Sequence, residues 1–158
     1  IFMSSWIAMR PLKEKGIYSF IVIFLSLALS GLAVLFLISQ YIVELPRWFE
    51  PSFIVPIAGM IFANSMNIVS LAGERFFVEK DRGENYENSR KIALETALIP
   101  LINALFAVGL VSLPGMMTGQ ILSGIEPLMA ARYQIMVMCM MFSTAGLSAV
   151  TYMSFKKY

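Results

Sequence analysis

The chain has 158 residues, 58% hydrophobic and only 14% charged, with mean hydropathy +0.75 and net charge +2. Soluble domains average about 25% charged residues, so a water-soluble globule is excluded. There is no histidine, which removes Ser-His-Asp and Cys-His catalysis and every histidine-ligated metal site.

In chain order, Ile1-Phe2-Met3 and Trp6 to Met9 form an apolar patch. The patch reads as the tail of an earlier span, with the N-terminal part missing. No secretory signal pattern opens the chain. The first charge-free run is Gly16–Val43, in which Ser26 and Ser30 stand one turn apart. A polar link follows, with Pro46, Arg47 and Trp48 where an interfacial aromatic belt is expected. The second run, Pro51–Gly73, carries Asn64 and Asn67, again one turn apart. Each run exceeds the roughly 20 residues that a spanning helix needs.

Glu74–Glu95 is the only hydrophilic block, and half of its side chains are charged. Its latter part, Glu87–Glu95, is expected to be helical and to run into the next span. As a surface the block is either a docking site for a partner, through Arg75, Glu79, Arg82 and Arg90, or a solvated connector.

Thr96–Ile125 is the longest run without a charge. One straight helix of that length would measure about 45 Å, against a hydrocarbon core of about 30 Å. Pro114-Gly115 near its middle, and Gly119 after it, point to a helix that stops near Leu113. A broken, non-helical segment, Pro114–Ile125, is then expected at membrane depth. Broken backbone survives there only when buried in protein or lining a cavity. The last run, Tyr133–Phe155, is again long enough to span and ends at Lys156-Lys157.

If Arg10 is cytoplasmic, ten basic residues lie inside (Arg10, Lys13, Lys15, Arg75, Lys80, Arg82, Arg90, Lys91, Lys156, Lys157) and two outside (Arg47, Arg132). That bias orients four spans without conflict. The bases are therefore topology signals, and no basic stripe exists for nucleic acid.

Asn64 and Asn67, and Asn103 in the third span, are amides in hydrocarbon. They either line a polar route or hydrogen-bond between helices. Methionine is frequent, with Met 12 in the composition. Met116 and Met117 sit in the broken segment, where Thr118 and Gln120 offer oxygens to a passing ion. Met136, Met138, Met140 and Met141 surround Cys139 in the last span. Thioethers suit soft metals, but they also fill irregular apolar gaps. Residues at alternate positions cannot all face one site on a helix. No metal site can be assigned. Cys139 alone cannot form an internal disulfide.

The string Gly109-Leu-Val-Ser-Leu-Pro-Gly-Met-Met-Thr-Gly-Gln-Ile-Leu-Ser-Gly124, followed by Pro127 and Ala131-Arg-Tyr-Gln-Ile-Met-Val-Met138, closely resembles the FetB (YbbM)-type permease family. Val55-Pro-Ile-Ala-Gly-Met60, Asn64-Ser-Met66, and Ala97-Leu-Ile-Pro100 with Asn103 fit it too. Those permeases are membrane subunits of ABC transporters linked to iron export and, in plant relatives, to aluminium tolerance. The resemblance implies a helical permease that forms a homodimer and pairs with a separate ATP-hydrolysing subunit. The family's members have more spans. Their inside loop is also longer, with a stretch that looks like an ATPase-coupling helix; Arg75 to Ala97 is too short to hold it.

The expected fold is therefore all-α. It is a single polytopic transmembrane permease domain over 1–158, with four spans, a remnant of an earlier one and a break after Leu113. The expected function is export of a metal ion, iron, across a bacterial inner membrane, with loop 74–95 and the C-terminus cytoplasmic. No catalytic residue and no cofactor on this chain are expected, and ATP belongs to the partner, since no GxxxxGK[ST] loop is present. The alternatives are an ATP-independent ion carrier or channel and a non-transporting membrane scaffold. The spans lack the intramembrane charges that ion-driven carriers often show.

Overall fold

The computed structural model describes residues 1–13, 15–43, 50–108 and 113–156. Pro46, Arg47 and Trp48 of the outer link, Gly109 to Ser112 of the motif, and Lys157 lie outside the described residues. The described elements are helices: α1 (Phe2–Met9), α2 (Ile17–Leu37), α3 (Pro51–Asp81), α4 (Tyr86–Ala107), α5 (Gly115–Leu122) and α6 (Pro127–Phe155). A π-helical turn, Ile38–Ile42, continues α2.

Three of them are long and apolar enough to cross a membrane: Ile17–Ile42, Pro51–Asp81 and Pro127–Phe155. Helix α3 has 31 residues, about 46 Å at 1.5 Å per residue. It therefore crosses the hydrocarbon and carries its charged last turns, Glu74 to Asp81, beyond it. Its proline at N1 costs no hydrogen bond.

The hydrophilic block is not a loop. It is the end of α3, a tight turn and the start of α4. Gly83 takes φ +88°, a left-handed conformation that glycine adopts without a Cβ penalty. The Gly83 N–H donates to Lys80 O at 3.0 Å and the Glu84 N–H to Glu79 O at 3.2 Å. Asn85 then caps α4, its Oδ1 accepting from the Asn88 N–H at 2.8 Å. Glu87–Glu95 is helical and continuous with the apolar part of α4, as its pattern implies.

The third apolar run departs from expectation in two ways. Its first helix ends at Ala107, and Val108 is extended (φ −68°, ψ 126°). The apolar part of α4, Thr96–Ala107, is thus only about 18 Å long. The helix therefore stops upstream of Pro114 rather than at it, and Pro114, which disfavours a helical residue before it, stands at the start of the next helix. The segment after the break is also helical. Gly115–Leu122 forms α5, with Pro114 as its extended N-cap residue (φ −61°, ψ 141°). Proline's missing N–H is harmless at a helix start. Gly119 accordingly lies inside a helix and is not a break. The left-handed glycine that ends α5 is Gly124, at φ +91°.

Helices α2, α3 and α6 share the core, with Ile23 and Leu27, Ile61, Val69 and Phe76, and Val137, Met140 and Tyr152 fully or almost fully buried. Lipid offers no hydrophobic drive for helix association, so close backbone approach matters instead. Small residues supply it: Ser26, Ser30, Ser65, Thr144, Ala145, Ser148 and Ala149 are all buried. Gly31 lies against the Phe62 ring, and Gly73 against Tyr152 and Leu12.

The starts of α2 and α4 meet the end of α6. Tyr18 Oη donates to Phe155 O at 3.1 Å and Tyr86 Oη to Met153 O at 2.7 Å. Both carbonyls belong to the last turn of α6, which has no intrahelical donors for them. Lys13 pairs with Asp81 at the end of α3, and the Lys156 ammonium sits 3.9 Å from the Phe77 ring centroid. The helices therefore alternate in direction, and most of the described charges gather at one end, as the charge pattern requires.

Candidate functional site at the helix break

The break separates α4 from α5 and leaves a cavity of about 260 Å³ beside α6. Val108, Leu113 and Pro114 line it from the break, Met117 from α5, and Ala131, Gln134, Ile135 and Met138 from α6. Among the described residues the lining is apolar apart from the Gln134 amide. Gln134 is 7% exposed, and its Oε1 is buried without a hydrogen-bond partner. A buried acceptor left without a donor costs about 1–3 kcal/mol, which makes Gln134 a position where a leucine is expected to be tolerated.

Helix α5 presents its expected residues unequally. Met117 faces the cavity, whereas Met116 packs against the core. Thr118 Oγ1 donates to Pro114 O at 3.2 Å and so folds back on its own helix. The Gln120 Oε1 is buried and unpartnered, like that of Gln134. Gly115 and Gly119 have open space where a Cβ would project.

The three asparagines lie elsewhere. Asn64 is half-buried, and its Nδ2 approaches Met141 O at 3.5 Å, the outer limit of a hydrogen bond. Asn67 and Asn103 are exposed on α3 and α4 and have no partner among the described residues. None of the three lines the cavity beside α5, so the fold does not bring the amide set and the methionine set into one site.

One polar cavity residue, Gln134, escaped the sequence reading, and one methionine, Met138, was read there only as part of a series. Gln134 was legible as an uncharged amide within the last apolar run, but its neighbours Arg132 and Tyr133 mark an interface and mask it. Met138 belongs to the series around Cys139. In the structure Met138 and Met140 are buried while Cys139 is exposed, so the alternation splits the series between faces and only Met138 reaches this cavity.

At the charged end, Glu79 is 4% exposed. It is held by Arg75 at 2.6 Å and Arg82 at 3.0 Å. Of the four residues expected to dock a partner, Glu79 thus faces inward and organises two of the arginines. Arg90 contacts Ser154 Oγ at 3.4 Å. Among the described residues no group of three or more carboxylate or cysteine side chains is placed to hold a metal ion.

Comparison with known proteins fits this architecture. The chain belongs to the family described as "Uncharacterised protein family (UPF0014)", whose model matches residues 1–87 and 80–158. It is 37% identical over 177 residues to the Escherichia coli protein named "Probable iron export permease protein FetB", covering 99% of this chain and 66% of that one. It is 39% identical over 134 residues to a UPF0014 membrane protein of Synechocystis, covering 74% and 52%. It is 33% identical over 118 residues to Arabidopsis "Protein ALUMINUM SENSITIVE 3", covering 65% and 43%. The chain thus spans between about two-fifths and two-thirds of the length of these relatives. No solved structure matches it.

Proposed function

We propose that this member of UPF0014 is the membrane-spanning subunit of an ABC-type exporter that moves a metal ion out of the cytoplasm. The observation that carries the reading is the interrupted helix, with a cavity beside it that Gln134 of α6 helps to line. Non-helical backbone in a membrane needs protein cover or an aqueous route, and transporters place their sites at such breaks. Iron is the cargo suggested by the name of the Escherichia coli relative. ATP would be hydrolysed on a separate subunit that docks at the charged end, on the α3–α4 hairpin. Two copies of the permease would form the pathway between them, with Asn67 and Asn103 as candidate pathway or interface amides. The charged end, with the C-terminus, would be cytoplasmic and the membrane a bacterial inner membrane, as the ten-to-two distribution of bases supports.

The test is reconstitution in vesicles with the co-purified ATPase and a panel of metal ions. ATP-dependent iron movement, reduced by Gln134→Leu and by Asn64→Ala, is the expected result. Movement without ATP or any partner would replace the reading with an autonomous carrier or channel. Absence of both transport and metal-stimulated ATP hydrolysis would leave a scaffold.

A further inference from the structure

We propose that the outward face of the α3–α4 pair is the contact with a second copy of this chain, across which Asn67 and Asn103 exchange amide hydrogen bonds about a two-fold axis. This rests on the two-copy reading above and names the surface through which the copies meet.

The two amides share one face of the molecule. Leu71 and Thr96 line the same groove between α3 and α4, with Glu74, Arg75 and Val78. Asn67 stands one turn before Leu71 on α3, and Asn103 two turns after Thr96 on α4. Four residues bring a helical side chain back to within about 40° of its starting direction, and seven to within about 20°. Each amide therefore stays on the groove's side of its helix, and both are exposed. Their depths agree as well. Helices α3 and α4 run antiparallel from the turn at Gly83. Asn67 lies seven positions before Glu74, and Asn103 eight after Glu95, so they sit about 10 and 12 Å inside the nearest charge of their helices. That is well within the hydrocarbon.

An amide at that depth is costly unless it is hydrogen-bonded, and neither has a partner among the described residues. Acyl chains carry no donor or acceptor, so lipid cannot satisfy them. A carboxamide is both donor and acceptor, which makes it complementary to a copy of itself. A two-fold axis along the membrane normal makes the interface isologous and sets every residue at the depth of its counterpart. The surroundings suit such a contact. Ala63, Asn67 and Leu71 form an exposed row on α3, and Ile99 and Phe106 flank Asn103 on α4. No charge falls within either row, so identical faces meet without repulsion, and the small Ala63 permits close approach of backbones.

The experiment dilutes the full chain with lipid in liposomes and follows dimers by energy transfer between dyes on Glu84→Cys. Cys139→Ser is the background, because Cys139 is exposed. Dimers are expected. Asn67→Ala and Asn103→Ala should each raise the dissociation constant about fivefold to tenfold, since symmetry removes every lost bond twice, with helix content by circular dichroism unchanged. A short bismaleimide should join Leu71→Cys chains into dimers and should leave Leu29→Cys chains, exposed on α2, as monomers. The proposal is overturned if the chain stays monomeric at every dilution. It is equally overturned if dimers survive the Asn67→Ala, Asn103→Ala double variant, or if they crosslink through Leu29→Cys and not through Leu71→Cys. ATP-driven export by dimers joined through another face would sink this interface alone; dimers crosslinked at Leu71→Cys that export nothing would support it and sink the proposed function alone.

Discussion

Replacing Gly73 with alanine adds a methyl group where the packing has no space for one. The new Cβ would lie 2.5 Å from Leu12 Cδ2, 3.1 Å from Tyr152 Oη and 3.3 Å from Tyr152 Cε1. Leu12 is 1% and Tyr152 0% exposed, so neither can move aside into open space. Overpacking of this kind costs about 1–3 kcal/mol. Alanine recovers about 0.5–1 kcal/mol because glycine is the poorer helix residue. The net loss is about 1 kcal/mol, or about 2–4 °C in melting temperature for a chain of this size. Gly31→Ala should cost less: the nearest atoms to its Cβ belong to the Phe62 ring, which borders a groove of about 400 Å³ that offers it room to shift. Gly115→Ala and Gly119→Ala meet nothing within 4 Å and should leave stability unchanged or raise it. Thermal unfolding of the four variants in nanodiscs, followed by circular dichroism, gives the order. If Gly73→Ala melted at or above the parent, alongside Gly115→Ala, the close packing of Leu12 and Tyr152 against α3 at Gly73 would be wrong.

Other variants probe the charged end and the cavity. Glu79→Gln leaves Arg75 and Arg82 without their shared carboxylate. Both arginines are at least a third exposed and can turn to water, so the expected cost is about 1–3 kcal/mol, below that of a fully buried pair; a cycle with Arg75→Gln should show strong non-additivity. Tyr86→Phe removes the donor to Met153 O, with an expected loss of about 1 kcal/mol and faster hydrogen exchange confined to the last turn of α6. Gln134→Leu removes an unsatisfied buried acceptor and should raise the melting temperature by an amount corresponding to about 1–2 kcal/mol while lowering transport. A gain in stability coupled to a loss of activity is what a functional residue held at a cost in stability produces.

Spans were legible because apolar run length is a direct physical requirement of the bilayer. Gly16–Val43 and Pro51–Gly73 became α2 and α3 with little change, and the alternation of basic residues anticipated which helix ends meet. The run from Thr96 to Ile125 was legible only as broken. A proline weakens a helix without deciding where it ends: Pro56 and Pro100 lie inside α3 and α4, whereas Pro114 stands beside a true interruption. Pro114 therefore marked the discontinuity, but α4 already ends at Ala107, and Gly115–Leu122 is helical again because a proline is well suited to a helix start. The site was less legible. Depth in the membrane is encoded by sequence position, but facing is set by tertiary packing, so Asn67 and Asn103 pointed outward while Gln134, two turns into α6, came to line the cavity.

The α3–α4 turn carries a further consequence of family membership. The alignment with the Escherichia coli relative runs over 177 residues and takes in 99% of the 158 residues of this chain, so about 21 positions of the relative have no counterpart here. The family model is itself matched in two stretches that meet at residues 80–87, and the hairpin turn from Arg82 to Asn85 falls within that overlap. Gly83 and Glu84 are exposed, and the turn is closed by its own backbone hydrogen bonds and by the Asn85 cap. Closing a longer loop at the same two helix ends adds only a logarithmic entropy cost, about 0.6 kcal/mol for each doubling of length. Inserting the missing segment of the relative between Gly83 and Glu84 should therefore leave the melting temperature within about 2–4 °C of the parent. If the ATP-hydrolysing partner proposed above grips that segment, the insertion should also strengthen co-purification with an ATP-binding cassette subunit and raise metal-stimulated ATP hydrolysis. A sharp loss of stability would show that the short turn is an integral part of this fold rather than a place where a longer element has been trimmed.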